Sequence, residues 1–159
     1  FYANILAFDG YYEKKWFPYT MPISDIYGLR QAFDNIKNDP YMLERHAKIG
    51  NAVRAAVKEA GLELYQETGF SNTVTVFNVP EGTTDTAILT AMKEKCNIML
   101  AGSFGAFAGK VIRIGHMGEN AYPEKVGAVM AGLDLVFKDL GITLKCSLKE
   151  AYDRKMSEQ

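Results

Sequence analysis

The run Gly109-Lys110-Val111-Ile112-Arg113-Ile114-Gly115-His116-Met117-Gly118 limits what this chain can build more than any other stretch. Glycines frame a short apolar segment, which is the pattern of a β-strand, and a strand sends alternate side chains to opposite faces. Arg113 then shares a face with Val111 and Gly115, while Ile112, Ile114 and His116 take the other. An arginine in such a run needs a partner. Either it is an edge-strand arginine paired with a carboxylate of its own domain, or rigid backbone holds out a guanidinium fork to grip a ligand carboxylate or phosphate at two points.

At 159 residues and 48% hydrophobic, the chain is long enough for one ordinary domain with a real core. Eighteen basic and nineteen acidic residues leave a net charge of -1, without blocks of one sign. That balance argues against a nucleic-acid surface or a polybasic membrane anchor and favours small molecules or protein surfaces as partners. Cys96 and Cys146 lie far apart, with no CxxC and no matching histidine spacing, so neither a zinc site nor a disulfide framework is expected. They read as reduced thiols of a cytoplasmic protein. No apolar run reaches membrane-spanning length and no signal peptide is recognisable.

Along the chain, an aromatic-rich segment from Phe1 to Trp16 has only weak helical spacing. It is expected to pack against something larger or to cap this domain's own core. Pro18 and Pro22 hold the next stretch extended and present the Tyr19 and Thr20 hydroxyls on non-helical backbone. Ser24 can cap a helix with Ile26, Leu29, Phe33 and Ile36 on one stripe, ended by Asn38-Asp39-Pro40. A longer helix follows to about Ala60, with Gly61 as its stop, and His46 on its apolar stripe reads as a hydrogen-bonded core histidine.

Strands are expected at 62–65, 73–79, 98–100 and 110–116, with a helix from Thr83 or Thr84 to Cys96 and another after Pro123 closed by Gly141. Ser147 and Glu150 fit a capping box for a short tail helix. This order predicts an α+β fold, a small antiparallel sheet of about four strands covered by helices on one side.

Little local chemistry stands out. Gly102, Gly105 and Gly109 match neither a dinucleotide fingerprint nor a phosphate loop, and a strand follows them where a helix would be needed. His116 has no nucleophile motif around it and reads as structural, and paired carboxylates at a productive spacing are absent. These features alone describe a non-catalytic α+β module that binds carboxylates or mediates assembly.

The run from Ile98 to Gly118, with its glycine-framed Arg113-Ile114-Gly115-His116-Met117-Gly118, closely resembles the C-terminal domain of the class V pyridoxal-phosphate aminotransferases, the alanine-glyoxylate and serine-pyruvate group. Phe17-Pro18-Tyr19-Thr20-Met21-Pro22, Glu44-Arg45-His46 and Thr73 to Pro80 agree in order and spacing. The resemblance implies a segment leaving a large domain at 1–22, the small domain at 23–140, and a strand-like stretch with tail helix at 141–159. It also implies that Arg113 binds the substrate α-carboxylate and that Thr20 holds the cofactor phosphate of the other subunit in a homodimer. Some relatives carry a tyrosine three residues before that threonine; Phe17 stands there, so its hydroxyl is either lost or replaced by that of Tyr19.

In the family the lysine that holds pyridoxal phosphate, the acidic partner of its ring nitrogen and the stacking ring belong to the large domain upstream. Nothing in this sequence matches them, and Lys110 matches a structural glycine-lysine pair. The chain, which begins at Phe1, is therefore expected to be the C-terminal piece of an aminotransferase acting on a small amino acid (alanine or serine) and an oxo-acid (glyoxylate or pyruvate), inactive by itself.

Overall fold

The computed structural model describes residues 3–158, so Phe1 and Tyr2 of the aromatic segment lie outside the described residues. Two compact units divide between Pro40 and Tyr41. The first carries a 3-10 turn at Ile5–Phe8, the short helix α1 at Tyr11–Lys14 and the long helix α2 at Ile23–Lys37. Between α1 and α2 the chain is non-helical, as two prolines require. Phe8 packs its ring on Phe17 and Tyr19, with centroids 5.4 and 5.8 Å apart, and Tyr11 meets Phe17 edge-on at 6.1 Å.

Helix α2 keeps the expected stripe, yet Ile26, Leu29, Phe33 and Ile36 are all exposed. Its start differs from the sequence reading. Pro22 occupies the cap position and Ser24 lies inside the first turn, because the fixed φ of proline already suits a helix entry and displaces the hydroxyl cap by two residues.

The second unit holds the core. Helix α3 (Met42–Glu59) buries Ile49, Ala52, Val53, Ala56 and Val57 on one stripe, and ends where Gly61 turns left-handed at φ +84°. Strands β1 (Val74–Asn78) and β2 (Val111–Gly115) pair antiparallel, with Val76 opposite Arg113 and Phe77 opposite Ile112. Thr75, Phe77, Ile112, Ile114 and His116 are buried on the core face. Helix α4 (Asp85–Cys96) starts on Thr84, whose hydroxyl accepts the Ala87 N–H, and packs on α5 (Pro123–Asp139), which begins with a proline as helices tolerate.

Two of the four expected strands are single bridges, Leu64 to Phe77 and Ala101 to Arg113, one on each side of the β1–β2 pair. The cause lies in the helices just before them. The Leu62 N–H donates to Val57 O and the Ile98 N–H to Met92 O, so the first donor of each would-be strand closes a helix instead of extending a ladder.

The tail helix α6 (Leu148–Ser157) packs against α3 and α5 and buries Leu148, Ala151 and Tyr152. Ser147 plays its half of the capping box, accepting the Glu150 N–H at 3.1 Å. Asp134 of α5 then accepts the Ser147 hydroxyl at 2.6 Å and the N–H groups of Leu148 and Lys149 at 2.7 and 3.0 Å. A carboxylate among unsatisfied donors at a helix start is favourable both as a cap and toward the helix dipole.

Candidate carboxylate-binding site

Arg113 stands at the middle of β2 on the face turned away from the core, as the alternation predicts. Its backbone exchanges both hydrogen bonds with Ala101, at 2.7 and 3.3 Å, while Val76 lies across from it on β1. The Nε–H donates to the Gly102 carbonyl at 2.6 Å. No carboxylate pairs with its terminal nitrogens among the described residues. The side chain is thus half-buried and aimed by one bond, with the two-pronged edge unspent.

The glycine-bearing loop explains how this is arranged. From Gly102 to Gly109 the chain leaves the Arg113 edge and folds back over the start of β2, so that Val111, on the outer face, is only 4% exposed. A Cβ on Gly102 would lie 3.2 Å from an Asp85 carboxylate oxygen and 3.4 Å from Leu89. Gly109 turns at φ +75° to re-enter the strand. Glycine here permits close approach of backbone, as expected, and no phosphate cradle forms.

Behind the strand, His116 is fully buried. Its Nδ1 bonds the Asn72 carbonyl at 3.1 Å, which requires the proton on Nδ1, and its Nε2 then accepts from the Thr75 hydroxyl at 2.9 Å. Burial pushes this imidazole below its ordinary range, the carbonyl bond opposing only in part. His46 has a similar place. Its Nδ1 bonds Met42 O at 2.7 Å and its Nε2 accepts the Gly118 N–H at 3.2 Å. Both histidines therefore hold the two ends of the segment that follows Arg113, a structural role for each.

Sequence reasoning missed Arg54, which lies on the buried stripe of α3 and is 8% exposed. Its guanidinium bonds Ser71 O at 2.9 Å, Asn51 Oδ1 at 2.6 Å and Asn72 Oδ1 at 3.4 Å, with the Phe70 ring 5.0 Å away. Burial lowers its pKa from the usual value. The signal was present, since Arg54 follows Gly50 by one helical turn and sits between Val53 and Val57. Thr20 and Tyr19 belong to the N-terminal unit, both exposed on non-helical backbone, with Tyr19 against the Phe8 ring. No group of three metal-ligating side chains is found among the described residues. No helix among the described residues is long and apolar enough to cross a membrane.

The second unit is thus an α+β domain whose sheet, backed by helices, carries an anchored arginine on the face turned away from the core. No family model matches the chain. It is 38% identical over 149 residues to an uncharacterized aminotransferase of Methanocaldococcus jannaschii, spanning 91% of this chain and 38% of that protein. It is 36% identical over 130 residues to the serine-glyoxylate aminotransferase of Arabidopsis thaliana, spanning 79% of this chain and 32% of that protein. The crystal structure of pyridoxamine-pyruvate aminotransferase from Mesorhizobium loti superposes with a TM-score of 0.85 at 28% identity, covering 98% of this chain and 41% of that one. The homologues of this chain are class V aminotransferases, and it matches the C-terminal domain of a fold type I enzyme. It spans about a third of the length of the curated relatives it matches.

Proposed function

We propose that this chain is the small domain of a pyridoxal-phosphate aminotransferase that moves an amino group between a small amino acid, alanine or serine, and an oxo-acid such as glyoxylate or pyruvate. Arg113 carries the reading. Its Nε is fixed to Gly102 O and its other donors have no carboxylate among the described residues, which suits a fork that takes the α-carboxylate common to every such substrate. Substrates that differ in side chain share that group, so one rigid donor can orient them all.

Pyridoxal phosphate, when bound, supplies the electron sink for amino transfer. The groups of this chain that fit its phosphate are the hydroxyls of Thr20 and Tyr19, exposed on non-helical backbone, acting across a homodimer. Phe17 has no hydroxyl to offer and packs on Phe8 and Tyr11 instead. The lysine-bearing large domain is the partner this reading requires, in keeping with the share of its relatives that the chain spans. The free thiols Cys96 and Cys146 suit a reducing compartment, the cytoplasm.

Cofactor absorbance and turnover test the reading, measured first on the 159-residue chain and then on the chain joined to its lysine-bearing domain. Neither signal is expected from the chain alone and both from the joined protein. Amino transfer by the chain alone, or a cofactor held covalently on it, would overturn the assignment.

A further inference from the structure

The pairing register sets four residues abreast on the outer face of the sheet. Val76 lies opposite Arg113, Ala101 bridges Arg113 on its other side, and the Leu64–Phe77 bridge brings Tyr65 opposite Val76, with the Tyr65 N–H on Val76 O at 3.0 Å. The row therefore reads Tyr65, Val76, Arg113, Ala101. Leu64 and Phe77 are buried on the core face, so Tyr65 stands with Arg113 on the outer one. Its ring meets Phe107 edge-on with centroids 5.2 Å apart. Phe107 comes from the same loop whose Gly102 carbonyl anchors Arg113. One loop thus fixes the guanidinium at its start and, near its end, braces an aromatic wall on the far side of Val76.

We infer that Tyr65 and Phe107 set the size of the substrate side chain, forming the wall that faces Arg113 across a floor of Val76. The inference rests on Arg113 being the carboxylate group proposed above. Two inter-strand spacings separate Tyr65 from Arg113, about 9.5 Å at the backbone. A charged hydrogen bond takes about 2.8 Å of that span, and an apolar contact with a ring about 4 Å. The remainder, about 2.7 Å, is mostly taken by the carboxyl carbon and the carbon next to it, leaving room beyond them for a methyl-sized group and little more. Valine adds no polar atom to the floor, and the two ring edges offer an apolar surface. The carboxylate preferred here carries a methyl-sized or slightly larger apolar group and no long chain.

The test uses the complete enzyme with the two domains joined and a homologous series of oxo-acids, pyruvate, 2-oxobutanoate and 2-oxopentanoate. Tyr65→Ala and Phe107→Ala are each expected to raise kcat/KM for 2-oxopentanoate relative to pyruvate by roughly 10-fold, the scale of discrimination a pocket wall exerts per methylene. Both side chains are nearly half exposed, at 45% and 44%, so neither truncation endangers the core, and Phe107→Leu gives a milder second variant. A ratio unchanged in all three variants overturns the inference. Arg113→Ala separates this from the reading beneath it, since it should weaken all three oxo-acids alike whatever the wall does. If Arg113→Ala changes none of them, the carboxylate assignment itself fails.

Discussion

Two arginines of the second unit, Arg54 and Arg113, meet opposite treatment, and neither has a carboxylate partner among the described residues. Arg54 is sunk into the stripe of α3 and surrounded by neutral acceptors, Ser71 O, Asn51 and Asn72, with a phenyl ring beside it. Arg113 stands on the open face with one nitrogen tied to a carbonyl and the rest of its fork turned outward. The difference separates an arginine whose donors are used up inside its own domain from one whose terminal donors meet no carboxylate among the described residues. A buried cation without a counter-charge is tolerable only when its donors are used up. A ligand-binding one needs just enough bonding to be aimed.

The largest expected effect lies on the Arg54 side. Arg54→Ala removes three hydrogen bonds, two of them to the 71–72 loop and one to Asn51, and leaves a void beside Gly50; it should destabilise the domain by about 2 to 4 kcal/mol. In the complete enzyme it should leave KM for amino-acid substrates nearly unchanged. Urea melts and steady-state kinetics check both halves, and a KM effect without loss of stability would erase the contrast between the two arginines.

His116 sharpens the same comparison, because it lies between the two sites, next to the point where Gly50 approaches Arg54. Its pKa is depressed in the folded state, chiefly by burial, so the unfolded chain takes up the proton that the folded chain refuses. Stability is therefore full above the ordinary imidazole value of about 6.5 and falls as the pH drops below it toward the folded value. His116→Asn should flatten that slope in melting temperature against pH. Thr75→Val keeps shape but strips the partner of Nε2, and should cost about 1 to 3 kcal/mol at neutral pH. A slope that survives His116→Asn would assign the acid sensitivity to some other group.

The smallest effect is expected at the anchor. Gly102→Ala places a methyl 3.2 Å from the Asp85 carboxylate and presses on the backbone whose carbonyl holds Nε of Arg113. A displacement well under an ångström should raise KM by about 3- to 10-fold with little change in melting temperature, since misplaced binding groups lose rate before they lose fold. An unaltered KM would show that the Gly102 bond does not aim the arginine.

Much of this architecture was legible in residue spacing. The stripe of α3 and the sorting of Arg113 from Ile112 and Ile114 follow from periods of 3.6 and 2, and the start of α4 at one of Thr83 and Thr84 and that of α5 at its proline follow from capping chemistry, all local properties. What escaped was decided by competition for backbone donors or by contacts distant in sequence. Leu62 and Ile98 gave their N–H groups to preceding helices, so two expected strands shrank to bridges. Asp134 reaches α6 from another helix, a cap that no local motif announces. Arg54 was hidden because the hydrophobic stripe was traced through its apolar members, and two of its three acceptors lie 17 and 18 residues away. At the site, alternation placed Arg113 on its face, while the Gly102 bond and the Tyr65–Phe107 wall needed the register of segments far apart in the chain.

The most direct measurement is the steady-state kinetics of Arg113→Ala in the complete enzyme, across several amino-acid donors, together with its melting temperature. The account predicts a KM raised alike for every donor, by roughly 10- to 150-fold, corresponding to the ~1.5 to 3 kcal/mol of a charged hydrogen bond, with melting unchanged. Unchanged kinetics accompanied by lost stability would contradict it and make Arg113 a second Arg54.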